Sequence, residues 1–524
     1  MAASLLLLIP PVLLTLAGVV AFAGPKFRPR VAPLAVEGAA LLSLLAALAA
    51  AVVLATGTVI DLPLPAAASI AAFLRLDAVS AVMTVLVTFV GWIVLRYSAG
   101  YLDGEARQGP FLGWMALTLA AVLVLVSAGH LALLVAAWIA TSLTLHQLLL
   151  FYPERVEAQR AAHKKFLTAR LADAALIGAT AILWTTFGTG DIGRIAAEVG
   201  QAGQPAAISI AAGLIALAAV LKSALFPAQG WLTEVMETPT PVSALLHAGV
   251  INAGGFLLIR LSDVVTTSPG AMAFLVMLGG LSAIVAGLAM LAQTAVKTSL
   301  AWSTVAQMGF MILQCGLGLW PLALLHIVAH SLYKAHAFLS SGNAVDEIAS
   351  ARRPGPVATP SGVAVARAFA AALAIYAIIY ALFGWVIGFD AKSPQSVALG
   401  AILILGVAYL IAQGLAGAAP RALTVRTALA SLMAAVSYFL LQAGAEWLTR
   451  WTLPPTPEAG PLEWALIVLA LVSFGAVAVA QALFPLWSGH PAALGLRVHL
   501  ANGLYTNAVF DRLTGGWLHK PAKS

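Results

Sequence analysis

Cysteine and charge are both scarce in this sequence. One cysteine, Cys315, occurs among 524 residues. A disulfide within the chain, or a zinc or iron–sulfur site built from several thiolates, is therefore excluded. Charged residues make up only 9% of the chain, whereas soluble globular domains contain about a quarter. An ordinary soluble domain is excluded as well.

Apolar residues replace the missing charge and account for 61% of the sequence, with a mean hydropathy of +0.98. Apolar runs of roughly twenty residues recur from end to end, and a helix of that length crosses a bilayer core of about 30 Å. The alternation of apolar and polar residues that indicates a membrane β-barrel is absent. The sequence predicts an all-α polytopic membrane protein.

About fifteen membrane-spanning segments are predicted from the apolar runs, with short connections and no soluble domain between them. The first, MAASLLLLIPPVLLTLAGVV, lacks the basic residue that precedes the apolar core of a signal peptide, so we expect it to be retained. The segments lie near residues 4–23, 32–56, 77–97, 111–128, 130–151, 166–187, 206–226, 241–260, 271–292, 298–319, 321–341, 361–388, 396–416, 423–446 and 462–485.

Lysine and arginine concentrate in the connections that follow odd-numbered segments. By the positive-inside rule, we expect these connections and the C-terminus on the cytoplasmic side of a bacterial inner membrane, and the N-terminus on the outer side. Because the basic residues lie in separate short loops, no nucleic-acid partner is expected. The residues concerned are Lys26, Arg28, Arg30, Arg107, Arg155, Arg160, Lys164, Lys165, Arg352, Arg353, Arg421, Arg426, Arg497, Arg512, Lys520 and Lys523, against Arg194, Lys392 and Arg450 in even-numbered connections.

Lys222 ends the seventh segment, in the run IALAAVLKSALFPAQGWL. Pro227 has no N–H and cannot continue the hydrogen bonding of that helix. Glu234 and Glu237 follow within the next ten residues of the loop. A lysine that extends to the membrane surface is the structural alternative. A broken helix with a lysine at the break and acids beyond it is typical of a gated ion site.

His326, His330 and Lys334 follow one another at steps of four in LLHIVAHSLYKAHAFL, so they share one helix face. Ionisable groups inside a membrane are costly unless they are paired, hydrated or neutral. Zinc binding is disfavoured because the glutamate of the HExxH pattern is missing and no third ligand is evident. Structural hydrogen bonding is the plainer alternative. We favour a proton relay, because imidazoles titrate near neutral pH.

Further polar groups lie inside other segments, and each has a structural alternative. His146 lies deep in the fifth segment, and His247 lies two turns into the eighth, where an interhelical hydrogen bond is the alternative role. Lys297 begins the tenth segment and could be an end-of-helix charge. Arg170 and Asp173, three residues apart in the sixth, are expected to pair with each other. No chemistry is expected on this chain alone.

Three runs resemble the antiporter-type subunits shared by respiratory complex I and the Mrp cation/proton antiporters: LKSALFPAQGWLTEVMETPTPVSALLHA, VKTSLAWSTVAQMGFMI and LLHIVAHSLYKAHAFLSSG. RYSAGYLDGE and KKFLTARLAD match in the same order, and the resemblance covers about residues 75–345. It implies fourteen core helices with two inverted five-helix repeats, each holding one discontinuous helix. The divisions are 1–110 for the N-terminal helices, 111–262 and 270–416 for the repeats, 423–485 for the C-terminal helices and 486–524 for a cytoplasmic tail.

The resemblance also implies roles for the buried polar residues. Lys222 matches the lysine of the first broken helix, and His247 matches the histidine after the PTPVSA run. The implied proton path consists of Lys222, Glu237, His247, Lys297, His326, His330, Lys334 and His146, with Glu234, Arg170 and Asp173 as secondary members, and it includes no metal site.

Three departures from the family pattern affect this interpretation. The family carries a glutamate directly after the tryptophan of the fifth helix, where this chain has Trp138 followed by Ile139. His146 or Glu237 is the expected counter-group of Lys222 in its place. The twelfth segment, VARAFAAALAIYAIIYALFGWVIG, lacks the lysine or acid of the second broken helix. The tail after residue 485 is too short for a lateral helix.

The run HAGVINAGGFLLIR is most similar to the DabB subfamily, the membrane subunits of inorganic-carbon accumulation complexes. This resemblance implies conduction of protons, or of Na⁺, that drives CO2 hydration on a DabA-like, zinc-bearing partner, with no cofactor on this chain. An ion-translocating subunit of an NADH–quinone oxidoreductase or Mrp-type complex is the alternative. A membrane scaffold without transport is the third possibility.

Overall fold

The computed structural model describes residues 6–57, 73–201, 205–343, 361–387, 392–414 and 421–513. These parts of the chain are helices and their connections, without a β-strand. Two isolated β-bridges, Leu74 with Ala128 and His130 with Asp191, join connections. The basic residues Arg352, Arg353, Lys520 and Lys523 of the predicted orientation lie outside the described residues.

The helices are numbered here in chain order. They are α1 Ile9–Ala23, α2 Val31–Thr56, α3 Ala78–Tyr101, α4 Gln108–Ser127, α5 Leu131–Leu149, α6 Val156–Phe187, α7 Ile192–Val199, α8 Ala206–Lys222, α9 Gly230–Thr233, α10 Thr240–Ala248, α11 Ala253–Arg260, α12 Ser262–Thr266, α13 Pro269–Leu291, α14 Val296–Gly316, α15 Trp320–Leu339, α16 Gly362–Ile387, α17 Pro394–Gly414, α18 Arg421–Thr449, α19 Pro461–Ala482, α20 Phe484–Trp487, α21 Pro491–Ala501 and α22 Thr506–Leu513.

The number of membrane-spanning helices agrees with the sequence. Among the described residues, 12 helices are long and apolar enough to cross a membrane. Two shorter apolar helices, α8 and the first part of α17, and the 21-residue α14 bring the number to the fifteen predicted. The span that α10 and α11 form together is the most enclosed, with 94% of its apolar window buried. His247 lies in this span, and its side chain is fully buried.

Connections that follow odd-numbered segments contact one another on one face. Arg107 donates to the carbonyl of Leu150 at 3.2 Å, which ties the third connection to the fifth. Arg155 pairs with Glu237 at 3.0 Å, which ties the fifth to the seventh. Gln293 donates to the carbonyl of Ala501 at 3.3 Å, which ties the ninth to the C-terminal helices. We call this side the C-terminal face.

Even-numbered connections meet on the opposite face. The amide of Gly129 donates to the carbonyl of Phe73 at 2.8 Å. Asp77 caps α3 and accepts from Arg260 at 2.6 Å, with Arg75 at 2.7 Å. Burial alone would raise the pKa of Asp77, but the two guanidinium groups overcome this effect and hold its pKa below the usual value. Successive connections thus alternate between the two faces, as expected for helices that each cross the membrane once.

The predicted break at Lys222 is present. Helix α8 ends at Lys222, Ala224 adopts a positive φ of 51°, and α9 begins at Gly230. A second interruption divides the central span at Gly249, whose φ and ψ are −123° and −80°. The corresponding helix of the second half, α16, runs without a break. Its sequence contains no proline, so nothing removes a backbone donor there.

Gly254 allows α11 to rest directly on the end of α8. A Cβ at this position would lie 2.2 Å from Ser223 Oγ and 2.4 Å from the carbonyl oxygen of Ala219. We expect Gly254→Ala to destabilise the protein by about 1–3 kcal/mol through overpacking. The measurement is thermal unfolding in detergent. Gly213→Ala, on α8 with no atom within 4 Å of its added Cβ, is the matched control. Equal melting temperatures for the two variants would contradict this close contact.

Candidate functional site

Lys222 is buried at the end of α8 and faces Trp138 of α5. Its Nζ lies 4.2 Å from the centroid of the Trp138 ring and donates to the carbonyl oxygen of the same residue at 3.4 Å. A cation over the face of an aromatic ring is stabilised electrostatically, especially away from water. The tryptophan therefore accommodates a charged lysine inside the bundle but supplies no negative charge.

The negative charge near Lys222 comes from Asp173 on α6. Asp173 is buried and interacts electrostatically with Lys222 and with Lys165. Arg170 Nη2 lies 2.7 Å from its carboxylate, so the predicted pairing of these two residues is present. Neither carboxylate oxygen of Asp173 accepts a hydrogen bond among the described residues. Asp173 thus keeps its capacity to accept a proton or a donor.

The counter-groups expected from the sequence lie elsewhere. Glu237 pairs with Arg155 at the C-terminal face, where both side chains are almost half exposed. The ring of His146 lies 5.5 Å from that of Phe166, and its Nδ1 is buried without a hydrogen-bond partner in the described part of the chain. Neither Glu237 nor His146 forms a hydrogen bond or ion pair with Lys222 there. Among the described residues, the acid that interacts electrostatically with Lys222 is Asp173 of α6.

Lys165 lies beside Lys222 across a small cavity. Its Nζ donates to the carbonyl oxygen of Ser142 and, at 2.9 Å, to the hydroxyl of the same residue. The cavity has a volume of about 10 Å³, and Ser142, Lys165, Lys222 and Val250 contribute to its lining. This is about the space that one water molecule needs. The cavity therefore has room for one water molecule, and both lysines belong to its lining.

Four charged residues form a cluster between Lys165 and the C-terminal face. We call Arg160, Lys164, Glu234 and Asp511 the entrance cluster. Lys164 Nζ lies 2.8 Å from Glu234 and 2.7 Å from Asp511, and Arg160 lies 2.8 Å from Asp511. Only 6% of the Lys164 side chain is exposed. The secondary residue Glu234 thus belongs to an ion-paired cluster that includes Lys164, the chain neighbour of Lys165.

A second buried group joins α10, α14 and α15. His247 Nδ1 lies 3.0 Å from the hydroxyl of Thr304, which donates to the carbonyl of Leu300 at 3.0 Å. Lys334 donates to the same carbonyl at 3.1 Å and to Ser303 Oγ at 2.8 Å. His247 and Lys334 are therefore connected through one turn of α14.

The histidines of α15 extend this group. His330 Nε2 lies 3.1 Å from the carbonyl oxygen of His247, just before the central span is interrupted. The rings of His330 and His326 are 6.0 Å apart, and His326 Nδ1 lies 2.9 Å from Gln314 Oε1. The structure thus brings His247, His326, His330 and Lys334 together. Lys297 lies farther toward the C-terminal face, where it donates to the hydroxyl of Thr240 at 3.1 Å.

Val250 lines two cavities beside the interruption of the central span. A cavity of about 20 Å³, lined in part by Val250, Asn252 and Ser331, adjoins the interruption of the central span. Asn252 donates to Ser331 Oγ at 2.9 Å, and its Oδ1 is buried without a donor among the described residues. Val250 also lines the cavity beside Lys222. Val250 is therefore the residue that the linings of the two cavities have in common.

Lys392, between α16 and α17, lies against α18 in the second half. Its Nζ is 3.8 Å from the centroid of the Phe439 ring and 3.2 Å from Gln442 Oε1. Burial lowers its pKa to about 8. Gln442 in turn donates to Glu446 at 2.9 Å. The twelfth segment itself lacks a lysine, but the half-buried Lys392 lies shortly after that helix in the sequence.

Comparison with known proteins identifies the family. Residues 128–354 match the transmembrane model of the NADH:quinone oxidoreductase/Mrp antiporter family, and residues 65–112 match the N-terminal model of complex I chain 5. The "Probable inorganic carbon transporter subunit DabB2" of Halothiobacillus neapolitanus is 39% identical over 84% of this chain and 79% of its own length. The chain belongs to the antiporter-type membrane subunit family.

Other members of the antiporter-type family are similar over different extents. The "Probable inorganic carbon transporter subunit DabB" of Hydrogenovibrio crunogenus is 47% identical over 51% of this chain and 52% of its own length. NADH-quinone oxidoreductase subunit L of Mycobacterium tuberculosis is 31% identical over 76% of this chain and 62% of its own. The Mrp complex from Dietzia sp. shares the fold, with a TM-score of 0.63 at 24% identity over 96% of this chain and 59% of that one.

The described residues contain no group of three or more His, Cys, Asp or Glu side chains arranged to hold a metal. The zinc ion expected on a partner stays a prediction. The roles of the path residues also stay predictions, whereas their positions define two buried groups and one entrance cluster.

Proposed function

We propose that this chain is the proton-conducting membrane subunit of an energy-coupled inorganic-carbon uptake complex. Na⁺ is the other ion that the path could carry. The partner would be a DabA-like, zinc-bearing subunit related to carbonic anhydrases, bound on the cytoplasmic side of a bacterial inner membrane. The observation that carries the proposal is the buried Lys222, which lies over Trp138 and shares a one-water cavity with Lys165, in a chain similar to DabB subunits.

In this proposal a proton enters at the entrance cluster and reaches Lys165, whose neighbour across the cavity is Lys222. Lys222 then gains or loses its proton as its electrostatic balance with Asp173 changes, because a buried lysine readily loses its proton when nearby charges change. From there the route passes Val250 to the histidines of α10 and α15. One charge crossing 100 mV releases about 2.3 kcal/mol, enough to shift an equilibrium on the partner more than tenfold.

The second candidate is an ion-translocating subunit of a quinone-reducing or Mrp-type complex. The 31% identity with NADH-quinone oxidoreductase subunit L favours it. Both candidates use the same buried groups, so they differ in the partner and not in the path.

Purification of the tagged full-length chain from its own membranes tests the proposal. We expect a zinc-bearing subunit to copurify, and we expect carbon uptake by cells at low CO2 to stop when an uncoupler removes the gradient. An untagged strain is the control. Copurification with quinone-reducing subunits, without a zinc protein, would favour the second candidate and refute the first.

Replacing the apolar barrier at Val250 should open the path. In Val250→Asn, a polar side chain joins the two cavities, and hydrophobic constrictions close by excluding water. Removing the apolar side chain of this buried valine lowers the cost of wetting the site by about 2 kcal/mol, so we expect a roughly thirtyfold increase in proton leak. The measurement is dye-reported flux in liposomes without partner turnover. Val250→Ile is the apolar control, and equal leak in the two variants would show that Val250 is no barrier.

A further inference from the structure

The C-terminal segment, residues 491–513, lies across the C-terminal face and covers the start of α9. Gln229 Nε2 donates to the hydroxyl of Thr506 at 2.6 Å. A Cβ at Gly503 would lie 2.8 Å from the ring of Trp302. A Cβ at Gly230 would lie only 1.9 Å from Asn507 Oδ1, so the side chain of Asn507 packs directly on the backbone of Gly230. The segment is thus seated directly on the loop that follows Lys222.

Asp511 is the residue of this segment that reaches the polar route. One of its carboxylate oxygens lies 2.7 Å from Lys164 Nζ and the other 2.8 Å from Arg160 Nη2. With Glu234 also bound to Lys164, the entrance cluster holds two positive and two negative charges. Loss of Asp511 would leave a net positive charge at the opening, beside the buried Lys165.

We propose that Asp511 is a positioning residue for conduction. It holds Lys164 against Glu234 and keeps the opening electrically neutral, so that a cation can approach Lys165. The inference rests on the proposed function, because it concerns flux along that path. It assigns a role in conduction to the C-terminal segment, which lies outside both antiporter-like repeats.

The first test is Asp511→Asn in the full-length chain with its copurifying subunits. The complex is placed in liposomes of phosphatidylethanolamine and phosphatidylglycerol that contain a pH-sensitive dye. We expect about a tenfold loss of proton flux, because one uncompensated charge within about 4 Å in a partly buried site exceeds that factor. Asp511→Glu should restore most of the flux. Arg512→Gln, one residue further on and exposed, should leave it unchanged. Full flux in Asp511→Asn would overturn the inference.

A disulfide that holds the C-terminal segment in place distinguishes two effects of Asp511. One is the effect of its charge, and the other is its contribution to docking the segment. The pair Gly230→Cys and Asn507→Cys brings two Cβ atoms close to disulfide distance. The native Cys315 is buried and does not compete. With the segment locked by oxidation, Asp511→Asn should still conduct poorly. Recovery of full flux in the locked Asp511→Asn variant would show that the carboxylate serves only to dock the segment, and would overturn the inference.

Lys222→Ala distinguishes a failure of this inference from a failure of the proposed function. If Lys222→Ala stops flux while Asp511→Asn retains it, only the role of Asp511 is wrong. If Lys222→Ala also retains flux, the proposed path itself is wrong.

Discussion

Lys222→Ala should reduce proton flux at least about a hundredfold, the lower end of what a positioned proton-transfer group contributes. Its Nζ is the titratable atom at the break of α8, over Trp138 and across the cavity from Lys165. Alanine leaves Asp173 without its exchange partner and leaves a gap that no nearby side chain fills. The measurement is dye-reported flux in liposomes, together with growth of the variant strain at low CO2.

Lys222→Arg gives a sharper version of this experiment. Arginine keeps the positive charge and the contact with Trp138, but it does not release its proton in proteins. We therefore expect Lys222→Arg to fold and assemble normally and to conduct as poorly as the alanine variant. Lys26→Ala, at the exposed connection after α1, is the control and should conduct normally. If the arginine variant conducts at the wild-type rate, Lys222 acts as a fixed charge and the relay is refuted.

Asp173→Asn should have the second largest effect. The substitution removes the negative charge that faces Lys222, Lys165 and Arg170, and it leaves three buried or half-buried cations together. Removing one partner of a buried ion pair costs about 3–5 kcal/mol, so we expect a loss of flux of at least a hundredfold. Initial rates in liposomes measure it. Glu157→Gln, at the exposed start of the same helix, should be harmless.

A second substitution tests where the acid must lie. Ile139 directly follows Trp138, whose ring and carbonyl contact Lys222. Combining Ile139→Glu with Asp173→Asn returns a carboxylate to this side of the lysine, from α5. We expect the double variant to regain much of the lost flux. If it conducts no better than Asp173→Asn alone while remaining folded, the charge of Asp173 is not a counter-charge for Lys222.

Sequence patterns predict the features that depend only on residues close together in the chain, such as the face of a helix or the point where it ends. The steps of four in α15 placed His326, His330 and Lys334 on one face because helix geometry fixes that face. Pro227 predicted the end of α8 because a missing N–H interrupts a helix wherever it occurs. The break expected in α16 came from family resemblance alone, and the proline-free sequence of that helix does not support it.

Contacts between distant residues could not be read in the same way. Arg160 and Asp511 are 351 positions apart, and no periodicity relates them. Asp173 was expected to be a structural partner of Arg170, since the spacing of three showed only the pair within its own helix. That α6 presents the same carboxylate to Lys222 depends on how α5, α6 and α8 pack. The pairing of Glu237 with Arg155 likewise depends on two loops that meet on one face.

The contact between His330 and the carbonyl of His247 has a consequence for the direction and pace of transfer. A carbonyl oxygen only accepts, so Nε2 of His330 carries the hydrogen and Nδ1 is the bare nitrogen of the neutral ring. An arriving proton binds at Nδ1, yet the opposite nitrogen faces an atom that cannot pass a proton on. In the proposed relay, the imidazole must swing away from the backbone before Nε2 can release a proton. Passage of a proton from one ring nitrogen to the other side would then require one ring rotation, and the frequency of that rotation would set a ceiling on turnover along the proposed path.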